Sequence, residues 1–445
     1  MYISFIGQRF LEIYNKKKNK RLSAELFFKK EVFEEFYNHK KYFKWIVNSP
    51  FVQKLPAKER KGIKTFEDEQ KRKLEKLNKK IEEDVPDSSF AIGFPAANDL
   101  FDTSGQVSSL TLPMDKESIY SSWIGAGFGI EVEGKQVWYM NNEKLLWTIY
   151  SGWSEYRKHL NSKVLDLKPN EIDLWNSVWL DHTFNKDKIV KKFLLDEYVE
   201  KETSEKRKAN YALKQQSWIK MLFLLSSIFP KENVTIFSSR YIYDKQKYVT
   251  LGFINLNLPE VNKFWEFYDK IFKKSDSVGI KQMVALYETQ YPFSRACEQG
   301  TIGLKAIEPK DLWKYMPGRS SSNEMPKLKD DEKSKINYSI YITWVIAMLN
   351  NKNLLGLAEK AAQAFRKYEK GGRKGTVKRD NEIKELLSSR NRKELIDRLT
   401  QLVEEEPTTM GEVCNTLVHE LMENIAVDNV PLFVTLMRFK YALPN

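Results

Sequence analysis

Apolar residues recur every three or four positions through FLEIYNKKK and AELFFKKEVFEEFYNHKKYFKWIV, which predicts helices with one aromatic face across the first 47 residues. Asn48, Ser49 and Pro50 end that pattern. Two turn formers precede a proline that biases Ser49 out of the helical region, so residues 51–53 leave in a new direction. A charged helix is expected from there to about Asp84. Gly, Ser, Pro and β-branched residues then take over as far as Met140, and Ile130, Val132, Val137 and Tyr139 flank Glu133-Gly134 as a hairpin.

Helical periodicity returns in EKLLWTIYSGWSEYRKHL and over residues 196–229, whereas NVTIFSSRYIYDKQKYVTLGFINL reads as two strands joined at residues 244–246. The regular strand–helix alternation of a doubly wound sheet is missing. PGRSSSNEMPKLKDDEKS is polar and proline-punctuated, as a linker is, and about five amphipathic segments follow it. Thr408 or Thr409 sits where an N-cap belongs, and Pro431 where a first-turn proline belongs. The expected fold class is α+β: a mixed α/β body over residues 1–317, a linker over 318–334 and a helical bundle over 335–445.

Composition narrows the class. With 445 residues, 42% of them hydrophobic, the chain can bury packed cores, which excludes a mainly disordered protein. Cys297 and Cys414 stand 117 positions apart and the chain has four histidines, so neither a disulfide framework nor a zinc knuckle is expected, and no cofactor. The opening residues reverse the order of a secretory signal, and no apolar run approaches the roughly 20 residues of a bilayer span. A cytoplasmic protein without a membrane partner is the expectation.

Charge changes the picture more. Seventy-three Lys and Arg against 60 Asp and Glu give +13, a field that attracts polyanions before specific contacts form. Residues 1–85 hold 22 basic and 13 acidic side chains, and residues 366–398 hold 12 and 6, so these two segments together exceed the surplus of the whole chain. In the first, Lys54, Lys58, Arg60, Lys61 and Lys64 are candidate contacts to a nucleic-acid backbone. In the second, Gly371, Gly372 and Gly375 would let Arg373, Lys374, Lys378 and Arg379 approach phosphates from a flexible loop. A solvated lysine-rich face is the alternative for each run.

Catalytic patterns are weak. GAGFG at residues 125–129 lacks the third glycine of a dinucleotide fingerprint and reads as a tight turn, and GGRKGT at 371–376 lacks the P-loop spacing. FDTSGQ at 101–106 has no second copy to make a carboxylate dyad, HELME at His419 lacks a second histidine, and Asp181-His182 has no nucleophile elbow. Pro86-Asp87 followed by Glu133-Gly134-Lys135 has an order resembling PD-(D/E)xK nucleases, in which two carboxylates bind magnesium and a lysine steadies the attacking water. The Glu-Gly-Lys step, however, falls at the expected hairpin tip.

KKYFKWIVNSPFVQK, SSFAIGFPAANDLFDTSGQVSSL, IYSSWIGAGFG, SGWSEYRKHL and SSRYIYDK together resemble the large subunit of type I CRISPR effector complexes, Cascade. The resemblance implies a non-catalytic subunit that holds the 5′ end of the guide RNA, checks a protospacer-adjacent motif in duplex DNA and positions the displaced single strand. Its implied partners are guide RNA, double-stranded and displaced single-stranded DNA, the other Cascade subunits and a recruited helicase-nuclease. On that reading Thr103, Ser104, Gly105 and Gln106 form one motif-reading loop, with an amide able to pair with base edges, and Asn48, Ser49 and Gln53 form a second. Both are equally readable as ordinary turns. Trp123, Trp138, Trp147, Trp153, Trp175 and Trp179 have spacings that place most of them in a core. The C-terminal bundle has the size of a Cascade small subunit, and Met316 or Met325 would serve as an internal start for it.

Overall fold

The computed structural model describes residues 2–46, 49–84, 86, 89–93, 115–162, 164–185, 192–202, 210–242, 247–272, 286, 293–320, 323–371 and 376–443. The fold is α+β. The chain divides into two compact units, residues 1–224 with 234–256 and residues 225–233 with 257–445.

In the first unit, α1 (Tyr2–Lys18) packs on α5 (Lys116–Gly125) through glycine. A Cβ on Gly7 would overlap the carbonyl of Ser121, and one on Gly125 would overlap the carbonyl of Ile3. GAGFG is therefore not a tight turn. Gly125 has ordinary helical dihedrals at the end of α5, and Ala126–Phe128 adds one 3-10 turn. Gly127 is crowded by Trp153 and Gly129 by Asp173, so these glycines serve close packing instead of positive φ.

Between α1 and α5, Ser23 caps α2 (Ala24–Phe27), a π-helical turn spans Phe28–Val32, and α3 (Phe33–Phe36) ends the helical run. Helix does not continue to residue 47 as the periodicity suggests. The carbonyls of Tyr42 and Phe43 accept from the N–H groups of Asn170 (2.9 Å) and Ile172 (3.3 Å), and Lys41 O accepts from Arg157, so long-range partners capture this backbone. The charged helix α4 (Phe66–Glu83) matches expectation, with a capping box between Thr65 and Asp68 and Asp84 as its C-cap. Helices α6 (Glu143–Asn161) and α7 (Ile172–Phe184) complete this core. Trp123, Trp138, Trp153 and Trp175 are buried in it, while Trp147 and Trp179 are half-buried.

Strands β1 (Ile130–Val132) and β2 (Gln136–Met140) form the expected hairpin around Gly134, whose φ of +74° needs glycine. Residues 196–229 are not one helical stretch. They hold β3 (Val199–Glu202) paired with β4 (Asn210–Leu213), and among the described residues only α8 (Trp218–Ile228) is helical at length. The Tyr211 backbone exchanges bonds with Asp166 and Lys168, which fixes this segment as extended chain. Strands β5 (Val234–Ile242) and β6 (Lys247–Leu256) are as expected, and their joint at 243–246 lies outside the described residues. Antiparallel pairing gives the order β1-β2-β5-β6.

In the second unit, the helix Glu332–Leu349 packs on the helix Leu258–Ile271. Further helices span Asn353–Lys370, Thr376–Leu386, Arg392–Glu405, Pro407–Glu423 and Val430–Ala442. The segment 376–386, whose start the sequence suggests is part of a basic loop, is thus helical. Glu406, not a threonine, is the N-cap of Pro407–Glu423, which places Thr408 and Thr409 within the first turn; Pro431 takes its expected place. The stretch expected as a linker, residues 318–334, lies within this unit. Among the described residues, no helix is long and apolar enough to cross a membrane.

Candidate nucleic-acid interface

The basic segment after residue 53 is a built loop. Leu55 is 2% exposed, and its carbonyl accepts the Nε–H of Arg60 at 2.7 Å. The Pro56 carbonyl accepts from the N–H groups of Glu59 and Arg60 (3.0 and 3.2 Å), and the Arg60 carbonyl accepts from Ile63 (3.2 Å). Two consecutive turns therefore hold the backbone, with Gly62 supplying a φ of +91°. Lys54, Lys58, Lys61 and Lys64 are all exposed, and none of them has a side-chain hydrogen bond or ion pair among the described residues.

Helix α4 is different although it belongs to the same basic run. Lys73, 6% exposed, donates to the Phe51 carbonyl and pairs with Glu69, each at 3.0 Å. Arg72 pairs with Glu75 (2.9 Å), Lys76 with Glu59 (3.8 Å) and Lys79 with Glu83 (3.7 Å). Most basic side chains of the helical half are thus paired, with Glu69, Glu75 and Glu83 of the helix and with Glu59 of the loop, while the loop lysines keep their field. Such a cluster repels itself until an anion meets it.

An aromatic ring is exposed just before this loop in the chain. The Tyr42 hydroxyl lies 3.0 Å from the Phe51 carbonyl and 3.2 Å from Gln70 Oε1, and its ring centroid is 6.0 Å from that of Trp45. Trp45 is 51% exposed, with its backbone N–H donated to Asn170 Oδ1 at 2.5 Å. An exposed indole is a surface on which an unpaired base stacks. Helical periodicity conceals it, because that pattern puts Trp45 on a buried face. The signal available in the sequence is its position just before the helix-ending Asn48-Ser49-Pro50.

The other expected site residues fall unevenly. Ser49 is fully buried; its N–H donates to Ile46 O (3.1 Å) and its carbonyl accepts from Val52 and Gln53 (3.2 Å each). It builds the turn, and no base edge reaches it. Gln53 is exposed at the start of the lysine loop. Asn48, Thr103, Ser104, Gly105, Gln106, Arg373 and Lys374 lie outside the described residues. Lys378 and Arg379 sit on the helix Thr376–Leu386 and not on a flexible loop. Lys378 bonds Glu405 (2.9 Å) and Glu382 (3.2 Å), and Arg379 bonds Glu406 (2.7 Å) and the Tyr368 carbonyl (2.9 Å), so both cross-link helices.

Other candidate chemistry resolves into structure. Glu133, Gly134 and Lys135 form an exposed 3-10 turn, and Asp87 lies outside the described residues. The Asp181 carboxylate, 1% exposed, is bonded by Lys220 (2.9 Å), Tyr198 (3.1 Å) and Asn185 (3.1 Å). His419 is exposed and 3.3 Å from Glu423. Lys44 bridges Asp173 and the Ala126 carbonyl, each at 2.8 Å. Burial, reinforced by the Asp173 charge, pushes the nearby Glu131 carboxyl up to about 7 against the opposing bond from Gln215. Among the described residues no group of three His, Cys, Asp or Glu side chains is placed to hold a metal ion. A groove of about 680 Å³ in the second unit mixes Lys270, Lys352 and Lys360 with Glu412 and Glu420, which does not select one charge of ligand.

No protein-family model matches this chain, and neither a curated protein nor a solved structure matches it.

Proposed function

We propose that this chain binds nucleic acid through the loop of residues 54–64, and that it does so as the non-catalytic large subunit of a guide-RNA-directed DNA surveillance complex of the Cascade type. The observation that supports binding is the set of four exposed lysines without acidic partners among the described residues, held by a loop whose backbone is tied into two turns. Lysine contacts to phosphate position a duplex or strand without reading it. Trp45 supplies a stacking ring, and Gln53, at the edge of the loop, supplies an amide for a base edge. The Cascade assignment rests on the resemblance carried by KKYFKWIVNSPFVQK, SSFAIGFPAANDLFDTSGQVSSL and their companion segments.

Two measurements test the proposal. Purified from its host, the chain is expected to carry RNase-sensitive material absorbing strongly in the nucleic-acid ultraviolet band; a chain free of nucleic acid that ignores DNA at low salt contradicts it. Gln53→Ala and Gln106→Ala are each expected to change which flanking motif is accepted and to weaken target binding by about ten-fold, with guide-RNA assembly intact. Unchanged motif preference in both variants would remove these residues from the reading role.

A further inference from the structure

Residues 16–21 read KKKNKR, five cations in six positions with no acid among them. They end α1 and continue past it. The turn that carries them is built: Asn19 adopts a left-handed φ of +50°, the Asn15 carbonyl accepts the Lys20 N–H (2.9 Å), and the Asn15 side-chain amide clamps the Leu22 backbone by two bonds (2.9 and 3.0 Å). Lys16, Lys17, Lys18, Lys20 and Arg21 are all exposed on it.

The neighbouring carboxylates do not match this charge. Lys17 pairs with Glu143 of α6 at 2.9 Å. That bond, and then the charges of Lys17, Lys16 and Arg9, hold the Glu143 carboxyl below its ordinary range, so one carboxylate faces several cations. Arg9 is itself paired with Glu12 (2.6 Å), and Glu31 is taken by the hydroxyls of Tyr14 (3.0 Å) and Tyr150 (3.1 Å). Lys16, Lys18, Lys20 and Arg21 have no ion pair among the described residues. Aromatic faces hold the ammonium groups instead: Lys17 and Lys18 lie 5.3 and 5.8 Å from the Trp147 ring centroid, and Lys20 lies 5.5 Å from that of Tyr14. Such contacts are weak at exposed sites and exchange readily for phosphate oxygens. Cations in the last turn of a helix complement its free carbonyls, but Lys20 and Arg21 lie beyond that turn and extend the charge.

A dense polyanion neutralises such a cluster best. Duplex DNA carries one charge per about 1.7 Å of axis and releases condensed counterions when side-chain cations replace them. We propose that the turn of residues 16–21 is a second nucleic-acid site, at which Lys16, Lys18, Lys20 and Arg21 take phosphodiester oxygens of the backbone without reading sequence. It rests on the reading of the chain as a nucleic-acid binder, but uses residues separate from the lysine loop.

The test measures binding of a labelled duplex and of a single strand of the same length to the full chain, by fluorescence anisotropy at several salt concentrations. The combined variant Lys16→Gln, Lys18→Gln and Arg21→Gln spares the Lys17–Glu143 pair and Lys20 over Tyr14. It should weaken binding at low salt by about five-fold or more and make the salt slope shallower by about 0.9 per lost contact on duplex or about 0.7 on single strand. The arm with the larger fold-loss identifies the form held. Lys16→Arg with Lys18→Arg and Arg21→Lys, which keeps every charge, should bind as wild type does. Lys327→Gln with Lys329→Gln and Lys333→Gln, which removes the same charge from exposed positions of the second unit, should cost less than about two-fold. An equal loss in that control overturns the proposal. So does unchanged binding in the Lys16, Lys18 and Arg21 glutamine variant alongside impaired binding when Lys54, Lys58, Lys61 and Lys64 are changed to glutamate, a result that leaves the lysine loop standing. Polyglutamate bound as tightly as the oligonucleotides, with the same loss in the glutamine variant, would make the turn a seat for acidic protein and overturn it as well. Binding of neither oligonucleotide by wild type overturns both sites.

Discussion

Arg438 donates from its guanidinium to the main-chain carbonyl of Tyr315, 2.6 Å away and 123 residues earlier in the chain. The same side chain, with no exposed surface, also bonds Leu387 O, Glu324 O, Asn323 Oδ1 and Ser388 Oγ. It has carbonyls and hydroxyls around it instead of a carboxylate, and burial lowers its pKa to about 10. Arg438→Leu strands several buried acceptors at once, so a destabilisation of about 3 kcal/mol or more in the second unit is expected from chemical denaturation. A change below about 1 kcal/mol would mean that water replaces the guanidinium.

The same bonds govern where a C-terminal fragment can begin. Trp344 donates to the carbonyls of Ile307 (2.9 Å) and Leu304 (3.3 Å), and Tyr341 to that of Lys310 (2.8 Å). A fragment starting at Met325 lacks these acceptors and the helix Leu258–Ile271, exposing an apolar face of Glu332–Leu349. It is expected to show helical circular dichroism with a broad, weakly cooperative melt, whereas a fragment from residue 257 should melt sharply. A sharp transition in the shorter fragment would make the bundle self-sufficient.

Gly7 and Gly125 let two helical backbones touch, and a methyl group at either position meets main chain that cannot swing away. Gly125→Ala should destabilise the first unit by roughly 3 kcal/mol, the upper range for overpacking. By contrast, Gly411→Ala, with open space around the new Cβ, should be neutral or slightly stabilising because alanine favours helix. Equal melting temperatures for the two variants would refute this packing account.

Glu131 gives a pH dependence with a defined sign. Its folded-state pKa, about 7, lies above the ordinary 4.5, so the native state holds this proton more tightly than the unfolded chain. The contribution is therefore complete below about pH 4.5 and diminishes as the pH rises through about 7. Glu131→Gln preserves the partner to Gln215 and removes the titration. The stability of the variant relative to wild type should rise steadily across that window; a flat or falling difference would contradict the assignment.

Sequence periodicity makes the regular elements legible wherever local pattern and tertiary packing agree, as in α4 with its capping box and the hairpin around Gly134. It fails where remote partners decide. Periodicity predicts helix through residue 47, but Asn170, Ile172 and Arg157 take up the backbone of residues 41–43. GAGFG looks like a turn because sequence shows a glycine's freedom and not the helix that crowds it. At the candidate interface the lysine composition of residues 54–64 is readable, while the division between helix lysines paired with carboxylates and loop lysines without an acidic partner among the described residues is not, because ion pairing depends on which carboxylate the fold brings near. Lys378 and Arg379 show the reverse: basic in sequence, yet bound by Glu382, Glu405 and Glu406 once helices pack.

The salt dependence of nucleic-acid affinity tests the central claim most directly. Binding of duplex DNA by wild type and by the variant carrying Lys54→Glu, Lys58→Glu, Lys61→Glu and Lys64→Glu would be titrated over a range of salt concentrations. Because each lysine that neutralises a phosphate releases a counterion, the logarithm of affinity should fall linearly with the logarithm of salt. The variant slope should be shallower by up to about 0.9 for each lysine–phosphate pair removed, with weaker binding to every sequence alike. A flat salt response in wild type, or the same slope and affinity in the variant, would contradict the account.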